Sequence, residues 1–225
     1  MTNNILIIVA HSDDEALGMG GTIRRHVLRG DNVFVSHMTN GVGARSSTSK
    51  EAISKRIDAA KLSSNALGFS WVEKFDFRDN AMDTYPLIEI IKAIESLKFK
   101  YKPSMVYTHS NADLNIDHQI IAKSVLTAFR PHPGEFCREI RLFEVPSSTD
   151  YGSVNITGRF NPNLFIDVKS FWDDKLISLK GYKMEMRDYP HSRSIEAVEN
   201  LAKLRGNQVG LELAEAFEVI RKLVS

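Results

Sequence analysis

Two hundred and twenty-five residues with 29 Lys and Arg against 28 Asp and Glu carry a formal net charge of +1, which excludes a charge-driven nucleic-acid or polybasic membrane binder. A hydrophobic fraction of 43% with 25% charged residues is globular composition with ample core, not disorder. Cys137 is the single cysteine, so internal disulfides and cysteine-built zinc sites are excluded, and any metal must be held by His and carboxylates.

Residues 4–10 form a continuous β-branched run, which reads as a strand buried on both faces. This run is too short for a signal-peptide core, and Asp13, Asp14 and Glu15 close it. No apolar stretch approaches the ~20 residues of a membrane span, so the expected location is cytoplasmic. Residues 16–28 carry helical spacing and stop at Gly30, and residues 32–38 read as a second strand. A polar Gly/Ser loop over 41–50 precedes a helix with Ile53, Ile57, Ala60 and Leu67 on one stripe. Pro86 opens the next helix, whose apolar face is Leu87, Ile91, Ile94 and Leu97. Residues 105–108 are a short strand, and 117–129 a helix with Ile121, Val125 and Phe129 inward. Residues 140–145 and 164–168 read as later strands, and 171–186, 194–204 and 210–223 as helices.

No repeat or linker interrupts the chain, so residues 1–225 are expected to form one domain. Its fold class is α/β, a Rossmann-like three-layer α/β/α arrangement with a mostly parallel sheet and a helical C-terminal part. Such sheets bind ligands at the carboxyl ends of their strands, where strand order reverses.

The first strand delivers the chain into His11-Ser12-Asp13-Asp14-Glu15. His11 and Asp14, three apart at a helix start, can converge on one point, with Asp13 aimed elsewhere around it. Helix capping accounts for one or two of these acids but leaves His11 without a role. A second cluster, from His109 to His118, follows the strand over 105–108. One His from each cluster and one carboxylate make a two-His, one-carboxylate set, suited to catalytic zinc and also to Fe(II). Taken alone, His118 fits a hydrogen-bonded core residue equally well; the pairing of the clusters favours the metal.

The strand followed by AHSDDE and LGMGGT resembles the PIG-L/LmbE-like family of zinc-dependent N-deacetylases, which act mostly on GlcNAc-containing substrates. The segments RDNAMD (78–83), DLNIDH (113–118), FEVPSSTDY (143–151), PHSRS (190–194) and RGNQVGLELAEAF (205–217) extend the likeness over nearly the whole chain. The resemblance implies one Zn2+ per chain held by His11, Asp14 and His118, with Asp13 as general base for attack of metal-activated water on the acetyl carbonyl. Many members have His-Pro-Asp-His in the second motif, where this chain reads Asn115-Ile116-Asp117-His118. Asn115 can donate a hydrogen bond to an oxyanion but cannot carry a proton, so His191 or Asp113 is expected to supply the acid. Arg45, Arg56, Asp79, Asp83, Asp113 and Arg193 are candidate contacts to a small-molecule N-acetylated sugar, although ordinary surface or turn roles suit several equally well. A homo-oligomer is compatible with apolar positions in the C-terminal segments. The competing readings are a non-catalytic sugar or nucleotide binding module, and hydrolysis of another N-acyl amide.

Other features have plainer explanations. Gly18-Met19-Gly20-Gly21 lacks the third glycine of a dinucleotide fingerprint and fits close packing of helix on sheet. His26 and His132 read as surface or loop residues, and His37 and His109 as core or supporting residues rather than ligands. Trp172 and Met186 read as core.

Overall fold

The computed structural model describes residues 2–39 and 50–224. Its elements alternate as the hydrophobic pattern requires: β1 (Asn4–Val9), α1 (Asp14–Leu28), β2 (Asn32–His37), α2 (Lys50–Leu67), β3 (Ser70–Trp71), α3 (Leu87–Tyr101), β4 (Met105–His109), α4 (Ile116–Ala128) and β5 (Glu139–Phe143). A short α5 (Val154–Thr157) is followed by β6 (Leu164–Asp167), α6 (Trp172–Gly181), α7 (Ile195–Asn207) and β7 (Ala214–Lys222).

The sheet has the order β3-β2-β1-β4-β5-β7-β6. β1 lies inside it and pairs in parallel with β2 (Ile5 opposite Val33) and with β4 (Ile5 opposite Met105). Burial on both faces explains why β1 is apolar throughout. Ile5, Ile7 and Val9 enter one core with α1, while Leu6, Ile8 and Ala10 enter the other with α3 and α4. From β1 the chain winds outward to β2 and β3, then returns to β4 and β5 on the other side. The reversal therefore falls between β1 and β4, and their carboxyl ends carry His11 and His109.

One element differs from the sequence reading. Residues 210–223, expected as a helix, contain β7, which runs antiparallel between β5 and β6. The glutamates of this segment favour a helix locally, but β5 needs a partner strand. Ala214, Ala216 and Phe217 are buried in that position. Glu215 is buried as well, because α1 is broken at Met19 and needs a second cap. The Glu215 carboxylate accepts the amides of Gly21 (3.0 Å) and Thr22 (2.7 Å), which the break leaves without helical partners, and the ammonium of Lys175 (2.7 Å). Gly18, just before the break, is required by contact: a Cβ there would lie 2.4 Å from the Phe143 ring.

The inward face of α2 also departs from expectation. Ile57 is exposed, whereas Ser63 and Leu67 are buried and Arg56 is half-buried; the Ile53 side chain lies outside the described residues. Polar side chains face inward because they serve the site described below. His26 is buried rather than at the surface, bonded to Asp31 (2.7 Å) and to the Tyr107 hydroxyl (2.9 Å). No helix among the described residues is long and apolar enough to cross a membrane.

Candidate active site

The turn from β1 into α1 and the first turn of α4 meet at the strand-order reversal. His11 Nδ1 lies 3.3 Å from Asp14 Oδ2, His118 Nε2 lies 3.4 Å from the same oxygen, and the two nitrogens are 3.4 Å apart. Four ligands placed tetrahedrally at ~2.1 Å from zinc are ~3.4 Å apart edge to edge, so the three donors fit one such ion with a fourth position open. All three residues are buried, and Asp14 Oδ1 has no hydrogen-bond partner among the described residues. Electrostatics agree with the geometry. Burial alone would lower the pKa of His118, but the carboxylates of Asp14 and Asp113 raise it to about 9. Asp117, Asp14 and Asp79 likewise overcome the effect of burial on His11 and raise it well above the ordinary value. A field that draws protons onto two buried imidazoles would equally favour a cation.

Each imidazole is backed by carboxylate on its far side, the arrangement that fixes ring orientation in His metal sites. His118 Nδ1 is 3.1 Å from Asp113 Oδ2. His11 Nε2 is 3.0 Å from Asp79 Oδ1 and 3.5 Å from Asp117 Oδ2, off the hydrogen-bond direction in both cases. Asp113 is fully buried, and accepts from Ser148 Oγ, Thr149 Oγ1 (2.7 Å) and the Asn115 amide (2.8 Å). Asp117 accepts the amides of Asn80 (2.7 Å) and Met82 (3.0 Å), which holds the 78–83 segment against α4. His109 stacks on His118 with ring centroids 3.8 Å apart. Burial lowers its pKa to about 3, so it stays neutral and its Nε2 accepts the Ala10 amide (2.8 Å).

Asp13 stands beside this group and outside it. Its Oδ1 accepts from Arg56 (3.2 Å) and its Oδ2 from Arg193 (3.0 Å). Burial raises its pKa, and the two guanidiniums oppose that rise. Arg56 also donates to Ser12 Oγ (3.1 Å) and Glu185 (3.0 Å), and Arg193 to Ser147 Oγ (2.6 Å).

The remaining sequence candidates are placed less centrally. Asn115 caps α4: its Oδ1 accepts the Asp117 amide (2.9 Å) and its Nδ2 donates to Asn80 Oδ1 (3.2 Å). His191 is half-buried, its Nδ1 accepting the Arg193 amide (3.0 Å), and it reaches the site through Arg193. Asp83 is exposed in a 3-10 turn (Met82–Thr84). Arg45 lies outside the described residues.

The sequence profile of a family described as GlcNAc-PI de-N-acetylase, PIG-L, matches residues 6–129, more than half of the chain and inclusive of both histidine-bearing turns. The chain belongs to the PIG-L family. An Escherichia coli K12 protein named as the uncharacterized deacetylase YaiS is 28% identical over 185 residues, spanning 80% of this chain and 90% of that one. The N,N'-diacetylchitobiose deacetylase of Pyrococcus horikoshii superposes with a TM-score of 0.77 at 20% identity, over 97% of this chain and 84% of that one. The 4-carboxy-2-hydroxymuconate hydratase GalB of Pseudomonas putida KT2440 does so with a TM-score of 0.77 at 20% identity, over 100% and 98%. The latter two likenesses concern the fold.

Within this PIG-L chain, sequence reasoning gave no site role to Asp117 or Glu15. Asp117 is one residue from His118 and reads as an ordinary acid at a helix start. Glu15 reads as one more acid favouring a helix N-terminus. Only the fold reveals that both are buried.

Proposed function

We propose that this chain is a metal-dependent N-deacetylase that removes the acetyl group from an amino-sugar substrate and releases acetate and a free amine. The observation that carries the reading is the convergence of His11 Nδ1, Asp14 Oδ2 and His118 Nε2 to 3.3–3.4 Å beside a separate buried carboxylate, Asp13. A divalent cation held by these three, zinc before iron given three donors at tetrahedral spacing, supplies Lewis acidity and lowers the pKa of water toward ~7. Asp13 then accepts the proton of the attacking water; burial makes it more basic than a surface carboxylate, as a general base requires. Arg56 and Arg193 orient it from either side, and both have further donors with which to meet a sugar hydroxyl.

Asn115 retains one free amide hydrogen for the carbonyl oxygen as charge develops there, since its other groups cap α4 and bond Asn80. His191 accepts at Nδ1 and offers its Nε2–H as a hydrogen bond to the leaving nitrogen, while Asp13 returns to that nitrogen the proton it took from water. Asp79 and Asp113 hold the histidines, a positioning role in place of the sugar contact expected for them. The related deacetylases support the amino-sugar substrate. The hydratase on the same fold means that product analysis must decide the reaction.

Asp13→Asn tests the assignment. With N,N'-diacetylchitobiose and N-acetylglucosamine as probes, acetate release should fall roughly 10²–10⁴-fold while metal stays near one per chain. Undiminished acetate release in that variant would remove Asp13 as the base. A wild type that binds metal yet releases no acetate from any N-acetylated sugar would overturn the deacetylase reading.

A further inference from the structure

Glu15 is fully buried, follows the residue pair Asp13-Asp14, and touches none of the three metal donors. Its Oε2 accepts the backbone amide of Asp13 (2.9 Å). Its Oε1 accepts two hydroxyls, Ser63 Oγ (2.8 Å) from α2 and Tyr182 Oη (2.7 Å) from the end of α6. Ser178 of α6 extends the chain by donating to Ser63 Oγ (2.7 Å). These partners are 48 and 167 residues away in sequence, so the carboxylate joins three elements at one point.

An acid in the first turn of a helix normally faces water, where it complements the helix dipole at little cost. Glu15 gives up that solvation, and its hydrogen-bond partners are two hydroxyls and an amide, none of them a cation. An apolar residue would pack the same space without the cost of burying a carboxylate. What a side chain ending in two polar atoms can do here, and an apolar one cannot, is grip the Asp13 peptide from one side and two separate helices from the other.

We infer that Glu15 is a positioning residue for the base: it clamps the Asp13 peptide to α2 and α6 and thereby aims the Asp13 carboxylate past the metal donors. The inference rests on the deacetylase reading for its kinetic consequence but not for the clamp itself. The clamp shares elements with the arginine that orients the other end of Asp13. Arg56 lies on α2 two turns before Ser63, and its second acceptor, Glu185, lies three residues after Tyr182. The base is thus held at its backbone through Glu15 and at its carboxylate through Arg56, both against the same pair of segments. A displacement near 1 Å at a reacting group can cost about 10²-fold in rate, so such a clamp affects turnover more than affinity.

The test uses the zinc-loaded full chain. Glu15→Ala should lower kcat on N,N'-diacetylchitobiose roughly 10–100-fold, with KM within about twofold and zinc near one per chain. Glu15→Gln should recover most of the loss, because its oxygen can take the Asp13 amide while its NH2 donates to the hydroxyls, which rotate to accept. Independently of turnover, amide hydrogen exchange followed by NMR should show Asp13 losing about tenfold or more of its protection in Glu15→Ala, with Ile23 in the second half of α1 unchanged. If Glu15→Ala does not fold, Tyr182→Phe combined with Ser63→Ala frees the far end of the clamp, and should lower kcat in the same direction by less. A kcat within about threefold of wild type in the folded variants, unchanged protection at Asp13, or a Gln variant as impaired as the Ala variant would each overturn the inference. A wild type inert toward the sugar would strike the deacetylase reading alone, since the exchange measurement still judges the clamp.

Discussion

Two of the buried polar clusters in this fold both contain histidine, and they differ in what they leave open. One runs Asp31–His26–Tyr107–Arg141–Glu139 beneath α1, where His26 bonds both Asp31 and Tyr107, and Arg141 bonds both Tyr107 and Glu139. The other gathers His11, Asp14 and His118 at the carboxyl ends of β1 and β4. Both contain buried histidine and carboxylate, so composition does not separate them. The first is a chain, in which each group is matched to a neighbour and burial is compensated. The second is a convergence: three donor atoms point at one another's space, and Asp14 Oδ1 and His109 Nδ1 have no hydrogen-bond partner among the described residues. A buried polar cluster therefore marks function here where its donor atoms converge on one point and polar atoms beside them, Asp14 Oδ1 among these, lack a partner among the described residues.

The largest effect that should separate the clusters comes from removing the shared oxygen. Asp14→Ala should drop zinc to background by elemental analysis and abolish acetate release, by at least about 10³-fold, and should also cost stability, because Asp14 Oδ2 accepts the buried His11 amide (2.9 Å) and faces both histidines. Retention of zinc near one per chain would break the comparison at its centre. A smaller effect is expected one step further out. Asp113→Ala leaves the three donors in place but frees the far side of His118, and zinc affinity measured by chelator competition should weaken roughly 10–100-fold.

Much of this was legible beforehand, and the failures have physical reasons. Strand β1 and the turn after it were readable because a doubly buried strand must be apolar and a polar burst at its end has no packing role. Asp79 was expected as a sugar contact and lies with its carboxylate 3.0 Å from His11 Nε2, two placements that look identical in a loop sequence. Asp117 was passed over because its partners, Asn80 and Met82, are 37 and 35 residues away and reach it only through tertiary folding. β7 was misread because Glu215 breaks the strand pattern. Its burial is set by a break in α1, 194 residues away from it, which no local periodicity can show. His26 was misplaced for the same kind of reason: its hydroxyl partner, Tyr107, belongs to β4.

The closed cluster makes the opposite prediction to the open one. Tyr107→Phe removes the hydroxyl that joins His26 to Arg141 and leaves a buried acceptor, His26 Nε2, and a buried donor, Arg141 Nη1, short of a partner. Unfolding in urea should show a loss of about 1–3 kcal/mol, with zinc content and acetate release per folded chain unchanged. A fall in turnover without a fall in stability would mean that the two clusters are coupled through β4, and that their separation is only apparent.

The smallest effect is the pH dependence that His26 contributes from the closed cluster. Burial lowers the pKa of His26; Asp31 opposes the shift without reversing it, and Arg141 and Arg29 add to it. The folded protein therefore favours neutral imidazole, and the unfolded chain binds more protons as pH falls through the ordinary histidine range near 6.5. Stability contributed by this group is full above that range and drains away below it. The hydrogen bond from His26 holds Asp31 below the usual carboxylate range despite the opposing effect of burial, which continues the same trend in stronger acid. His26→Gln keeps a side chain able to bond Asp31 and Tyr107 but cannot titrate. In zinc-loaded protein, the urea midpoint of wild type should drop further than that of the variant between pH 8 and pH 5. Equal drops would show that His26 takes up its proton in the folded state without penalty, and that this cluster is less closed than its bonding implies.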